Sequence, residues 1–281
     1  MAISILADPL FVILTHGSTG DLIVDNLDYS PSLESTNTLS LLTINMAHGR
    51  SNGRHQIWLS NDTIGENINN IGYLILREKP HIVALQEADD KSWWSGRFSH
   101  VKKVGQLGGM RYAISGTNVD GLGLHYGAAI VTQLEVSNCK QVTFAKSIPT
   151  LSKGFVIASF QWPNEPKYLF DVVSLHLDFA SAAVRTSQLE TLTKILQLSD
   201  RPMIIMGDFN TDMQQDLLLP FANNLKLSTY DIHNKDIVTF KGLNTRIDWI
   251  FVSDAFEIIT HEVLDDIISD HQAVSVEVRR K

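Results

Sequence analysis

The sequence predicts a layered α/β or α+β domain, and three observations carry that prediction. Eight short apolar runs have strand length: Leu39 to Asn45, Ile82 to Gln86, Gly127 to Thr132, Phe155 to Gln161, Tyr168 to His176, Met203 to Gly207, Ile247 to Val252 and Ala273 to Val278. Two amphipathic helices are readable between them. No internal repeat, low-complexity tract or Pro/Gly/Ser linker divides the chain, so the layers form one domain over residues 39–281.

Each element has a local reason. Several runs are too uniformly apolar to keep one face in water, which expects strands covered on both sides. Asn61 or Asp62 caps a helix that runs to about Lys79 and stops at Pro80, with Ile64, Ile68, Ile71, Leu74 and Ile75 on one face. Ser181 caps the second, whose stripe is Leu189, Leu192, Ile195 and Leu196, with Pro202 beyond its end. Both stripes read as core faces. Residues 1–38 read as an N-terminal arm of uncertain order: five acids, no bases and the turn formers Tyr29-Ser30-Pro31-Ser32 fit either a loose segment or one that wraps the domain.

Composition narrows the class. A chain of 281 residues with 44% hydrophobic and 19% charged residues can bury a large core, which excludes disorder, collagen and coiled coil. Cys139 is the sole cysteine, so a disulfide framework and a thiolate zinc site are excluded, and a reducing, cytoplasmic-type compartment is expected. The apolar stretch Ile3 to Leu14 is broken by Asp8-Pro9 and has no Lys or Arg before it, unlike a signal peptide or a membrane span. The net charge of -8 repels polyanions on average. Between Lys91 and Asn164, however, eight basic residues face only Asp120 and Glu135. That stretch reads either as an ordinary solvated surface or as a wall for a phosphate-bearing ligand.

The chemistry stands at the strand ends. Leu41-Leu42-Thr43-Ile44 ends in Asn45, Ile82-Val83-Ala84-Leu85 in Gln86-Glu87, Val172-Val173-Ser174-Leu175 in His176, and Met203-Ile204-Ile205-Met206 in Gly207-Asp208-Phe209-Asn210. Arg246-Ile247-Asp248 and Ser269-Asp270-His271 open two more strands. Any one of these is an ordinary turn former. Six together mark the edge where a layered sheet gathers a site. Four converging carboxylates (Glu87, Asp208, Asp248, Asp270), without enough Lys or Arg to balance them, imply a hard cation, Mg²⁺ or Mn²⁺ rather than zinc. His271 and His176 handle protons, and the amides of Asn45 and Asn210 can hold a phosphoryl oxygen. Metal, base and oxyanion donors together point to metal-assisted phosphoester hydrolysis.

In this order, these six motifs resemble the endonuclease/exonuclease/phosphatase superfamily, which includes pancreatic-type deoxyribonucleases, abasic-site endonucleases, neutral sphingomyelinases, inositol polyphosphate 5-phosphatases and poly(A) deadenylases. The resemblance implies a four-layer sandwich of two mixed β-sheets flanked by helices, with the site at one end. It implies that Glu87 is the main metal ligand, supported by Asn45 and Asp270. It also implies that Asp208 orients or deprotonates the attacking water, that Asn210 binds a phosphoryl oxygen and positions Asp208, that His271 paired with Asp248 contacts the phosphate, and that His176 holds it from the other side. Ala47 stands where some members carry a second acid, which favours a single metal.

Arg185, His48 and Arg50 are further candidates for a substrate phosphate, with exposed loop or helix-start positions as the plain alternative. Trp93, Trp94 and Phe98 are packing residues or an apolar ligand wall. Within the superfamily the charge balance favours a phosphodiester of a small molecule or lipid head group, with transient contact at a lipid surface, over the alternative of a nuclease on DNA or RNA. A catalytically inactive phospholigand-binding module is the weaker alternative, because Glu87, Asp208, Asn210 and His271 are all retained. A serine hydrolase is excluded by the lack of a Gly-x-Ser-x-Gly elbow. Oligomeric state is not readable.

Overall fold

The computed structural model describes residues 17–18, 22–29, 36–53, 55–163, 165–212 and 217–281. The chain opens with strands β1 (Gly17–Ser18), β2 (Leu22–Asn26) and β3 (Thr38–Asn45), followed by helix α1 (Asn61–Glu78), β4 (Ile82–Asp89) and α2 (His100–Leu107). Then come β5 (Tyr112–Gly116), β6 (Val119–Gly121), β7 (Leu124–Thr132), β8 (Val136–Phe144), β9 (Gly154–Trp162), β10 (Glu165–His176) and α3 (Ala182–Leu196). The last elements are β11 (Met203–Asp208), α4 (Leu218–Asn224), β12 (Leu227–Thr229), β13 (Asp248–Ser253), β14 (Phe256–Val263) and β15 (Val274–Arg280).

Two mixed sheets result. One runs β1-β8-β9-β10-β11-β13-β12, the other β14-β15-β3-β4-β7-β5-β2, with β6 paired to β7. The pairs β10/β11 and β3/β4 are parallel. Side-chain alternation sorts the core into three layers. Between the sheets, Leu39, Leu41, Ile82 and Ala84 meet Phe170, Val172, Ile204 and Ile250. Outside the second sheet, Leu42, Ile44, Val83 and Leu85 pack under α1 and α2. Outside the first, Val173, Leu175, Ile205 and Phe251 pack under α3 and α4. The order helix, sheet, sheet, helix is the four-layer sandwich expected from the resemblance.

All eight apolar runs are strands, and both helices begin near their expected caps. The cap of α1 is Ser60 rather than Asn61 or Asp62: its hydroxyl accepts the Thr63 N–H, and the two candidates fall inside the first turn. Of the arm, β2 pairs with β5 and β1 with β8, so these stretches are edge strands of both sheets. Residues 1–16, 19–21 and 30–35 lie outside the described residues.

Candidate active site

The inner rows of the strands carry the site. Reading every second residue, Leu39, Leu41 and Thr43 lead to Asn45; Ile82 and Ala84 lead to Gln86; Phe170, Val172 and Ser174 lead to His176; Ile204 and Met206 lead to Asp208; and Val252 and Ile250 lead back to Asp248. The site is the polar end of the inter-sheet core. Gln86 pins the two sheets there: its Nε2 donates to Ser174 on one sheet (3.2 Å) and Thr43 on the other (3.3 Å), while Ser174 donates to the Leu85 carbonyl.

Two local devices aim the side chains. At the end of β4 a register shift between Leu85 and Ala88 leaves Glu87 with φ +49°, so its side chain escapes the alternation. At the end of β11, Gly207 has φ +146°, and a Cβ there would lie 2.0 Å from the Leu175 carbonyl oxygen. Only glycine lets β11 pass so close to β10 before Asp208.

The floor is buried: Asn45, His176, Asp208, Asp248 and His271 are each less than one-tenth exposed. Asp208 accepts from Asn45 Nδ2 (3.0 Å), from the Asn210 backbone N–H (2.8 Å) and from Asn210 Nδ2 (3.2 Å), which also donates to the Leu177 carbonyl. His271 Nδ1 lies 2.9 Å from Asp248, and its Nε2 faces Asp208 at 3.8 Å. Burial alone would make His271 easier to deprotonate, but Asp248, Asp208 and Asp270 overcome it and push the imidazole up to about 10. Burial, reinforced by Asp248, raises the Asp208 carboxyl above its ordinary range, against the pull of His271. Asp208, Asp248 and His271 form a compact acidic cluster with ligand atoms within 4.8 Å of one another.

The opposite wall is built around Glu87. Its Oε2 faces His48 Nε2 (3.3 Å) and Arg50 (3.4 Å), and its Oε1 faces Lys153 (3.7 Å) and His176 (4.0 Å). Burial would raise this carboxyl; His48, Lys153, His176 and Arg50 reverse that and hold it well below the carboxylate range. Arg50 also reaches Asp270 at 2.5 Å, bridging two carboxylates. His48 is held in turn by Asp89 (2.6 Å), which accepts from Trp94 Nε1 (3.0 Å).

The four carboxylates therefore do not crowd without bases, as the sequence suggested. Arg50 and Lys153 stand among them, and His271 completes the balance. The expected ligand set, Glu87, Asn45 and Asp270, differs from the compact cluster. Within the expected set, Glu87 and Asp270 lie on either side of Arg50, while Asn45 turns its Oδ1 to the Ala47 N–H and its Nδ2 to Asp208. Carboxylate oxygens, which both groups offer, are the hard donors that Mg²⁺ and Mn²⁺ take, and in Glu87 and Asp270 they are now paired with the Arg50 guanidinium.

Of the outlying candidates, His48 and Arg50 line the site. Arg185 is buried and donates to the carbonyls of Asp178 and Phe179, tying α3 to the loop before it. Trp94 stacks on Tyr126 and Phe98 packs against the α1/α2 core, whereas Trp93 is half-exposed. The basic stretch is not a single wall. Lys102 faces Asp25, Arg111 pairs with Glu135, and Lys103 lies over Phe98 on α2; Lys153 alone of these four enters the site.

Two site residues escaped the sequence reading. Asp89 shares the Glu87 strand two residues on, a period-2 signal that could have found it. Lys153 enters because Gly154 pairs with His176 across β9 and β10, a register that no local pattern announces.

No curated protein sequence matches the chain. Solved structures do. A conserved protein of unknown function from Enterococcus faecalis V583 is 17% identical with a TM-score of 0.70, covering 86% of this chain and 100% of its own. A mannosyl-6-phosphatase from Bacteroides thetaiotaomicron is 18% identical with a TM-score of 0.64, covering 85% and 99%. The human Nocturnin catalytic domain with bound sulfate is 15% identical with a TM-score of 0.62, covering 93% and 97%. At these identities the likeness is one of fold. Residues 42–271 match the profile of the endonuclease/exonuclease/phosphatase family, most of the chain and every motif above, and the protein belongs to that family.

Proposed function

We propose that the protein is a divalent-metal-dependent phosphoester hydrolase acting on a small phosphodiester or a lipid head group. The observation that supports it most is that the inward rows of both sheets end in one polar cluster, where a buried carboxylate pair and imidazole (Asp208, Asp248, His271) face a carboxylate set between two cations, Arg50 and Lys153, and beside His48 (Glu87). Family members are hydrolases of phosphoester bonds. In this reading Asp208 orients the attacking water and takes its proton, helped by burial that raises its basicity. Asn210 fixes Asp208 through two hydrogen bonds and presents its amide to a phosphoryl oxygen. His271, kept protonated by Asp248, donates to the phosphoryl group as charge builds up on it. His176, whose imidazole burial and Lys153 make easier to deprotonate, directs Nε2 toward Asp208 while Nδ1 faces Lys153. Glu87, Asp270 and the Asn45 side chain would hold Mg²⁺ or Mn²⁺, which supplies positive charge to the phosphoryl oxygens and the leaving group.

Inside the site the cations are Arg50 and Lys153, both beside Glu87, which favours a substrate that brings one or two phosphates into it over a polynucleotide. A hydrolysis panel with Mg²⁺ tests the reading: bis-p-nitrophenyl phosphate, p-nitrophenyl phosphate, single- and double-stranded DNA, RNA, sphingomyelin and phosphoinositides. The expected result is hydrolysis of a small or head-group ester with weak salt dependence. Cleavage of nucleic acid that falls steeply with salt, with a log-log slope on the order of one unit per phosphate contacted, would favour the nuclease instead. No hydrolysis of any ester would leave the binding-module reading.

A further inference from the structure

The sheet register fixes which loops surround the site. β3, β4, β10 and β11 end there, β7, β9, β13 and β15 begin there, and every loop joining those ends rims the same opening. Among the described residues, the large apolar side chains more than three-fifths exposed fall almost entirely on this rim. Ile57 and Trp58 lie between β3 and α1, Leu122 at the β6/β7 turn, Ile148 between β8 and β9, Phe179 after β10, Leu243 before β13 and Ile267 before β15. Leu198, beyond the far end of α3, is the exception. Leu122 is 97% exposed, Ile148 94% and Trp58 83%. Scattered exposed apolar residues need no explanation, but a collar of them from six loops around a polar centre does.

We infer that this collar seats on a lipid surface, so that the site receives a phosphate at the plane of the head groups. Apolar residues spread around the whole opening suit an extended apolar boundary better than a narrow partner. The charge agrees. Lys91 and Arg97 stand exposed beside Trp93, and Lys146 beside Ile148, where lipid phosphates would meet them. No helix among the described residues is long and apolar enough to span a membrane, so the contact is peripheral. The inference rests on the phosphoester reading for what the surface delivers to the site, but not for the contact itself.

The test separates the two. Full-length protein in EDTA is sedimented with phosphatidylcholine vesicles containing a minority of phosphatidylglycerol, beside the triple variant Leu122→Asp, Ile148→Asp, Leu243→Asp. In parallel, both are assayed on soluble bis-p-nitrophenyl phosphate with Mg²⁺ and examined by sedimentation velocity without lipid. The expected result is vesicle binding that the triple change weakens roughly tenfold or more, with the soluble rate unchanged, because none of the three touches the site. Absence of vesicle binding, or binding that the triple change leaves intact, overturns the inference. So does a dimer that the triple change disperses, which would make the collar an interface between copies. A soluble rate that rises in the triple variant would also overturn it, by indicating that the chain's own residues 1–16 cover the collar. Vesicle binding without hydrolysis of any ester would instead overturn the proposed function and leave the lipid contact standing.

Discussion

The two walls of the site balance charge in opposite ways. On the Asp208 wall, two buried carboxylates share one imidazolium, and the result is a raised carboxyl on Asp208 and a raised imidazole on His271. On the Glu87 wall, one carboxylate is ringed by His48, Arg50, Lys153 and His176, and its carboxyl is driven down. A carboxylate that gains protons easily suits proton transfer, whereas one that never does suits holding positive charge. The difference comes from position. Asp208 and Asp248 lie on inner rows facing each other across β11 and β13, while the bulge at Glu87 swings it toward the loops that carry the cations.

The largest effect that could break this division is metal removal. If the Glu87 wall holds Mg²⁺ or Mn²⁺, EDTA abolishes hydrolysis and either ion restores it, and Glu87→Gln raises the metal concentration needed while leaving the fold intact. Full activity in EDTA would mean that Arg50 and Lys153 carry the phosphate charge unaided. Next in size is the proton-handling wall. Asp208→Ala and His271→Ala each lower kcat by roughly two or more powers of ten, and because the pair acts as a unit, the double variant is little worse than the worse single one. Strict additivity in that cycle would separate Asp208 and His271 into different steps.

The division of labour was only half legible in the sequence. Asn45, Glu87, His176, Asp208, Asp248 and His271 could be found because each ends or opens an apolar run, and a polar residue there breaks a pattern that is itself visible. The layered α/β character followed from the same runs, since strands that are apolar throughout need cover on both faces, whereas the four-layer order came from the family resemblance. β8 and β14 were missed: their alternating faces, Val136 to Phe144 and Phe256 to Val263, carry charge and amide on the wet side and never form an apolar run. Lys153 and Arg50 were missed as balancing charges for a different reason. Both reach Glu87 from loops, and the reach depends on which strands pair rather than on any spacing.

Lys153 offers the third test. Its Nζ sits between Glu87 and His176 on a side chain that is 7% exposed, so it either binds the substrate phosphate or merely neutralises Glu87. Lys153→Met keeps the length and removes the charge. If Lys153 meets substrate, kcat/KM falls by about one to two powers of ten, through KM at least in part, with little change in stability. If it only neutralises Glu87, the variant loses stability instead, and adding Glu87→Gln restores it.

The smallest expected effect is on stability against pH, and it has opposite signs for the two walls. Glu87 is lowered in the folded protein, so its contribution is present above the ordinary glutamate value of about 4.5 and is lost as pH falls below it. His271 is raised to about 10 from an ordinary value of about 6.5, so its contribution is complete below 6.5 and is lost as pH rises toward 10. Metal-free protein unfolded in urea across that range is therefore expected to lose stability at both ends. The Asp208 carboxyl, raised to about 7, adds its own loss as pH rises to that value, so His271→Asn should flatten the limb above pH 7 and spare the acid one, whereas Glu87→Gln should flatten the acid limb and spare the alkaline one. An alkaline limb that survives His271→Asn unchanged would mean that Asp248 and Asp208 do not hold a proton on that imidazole, and the contrast between the two walls would then rest on Glu87 alone.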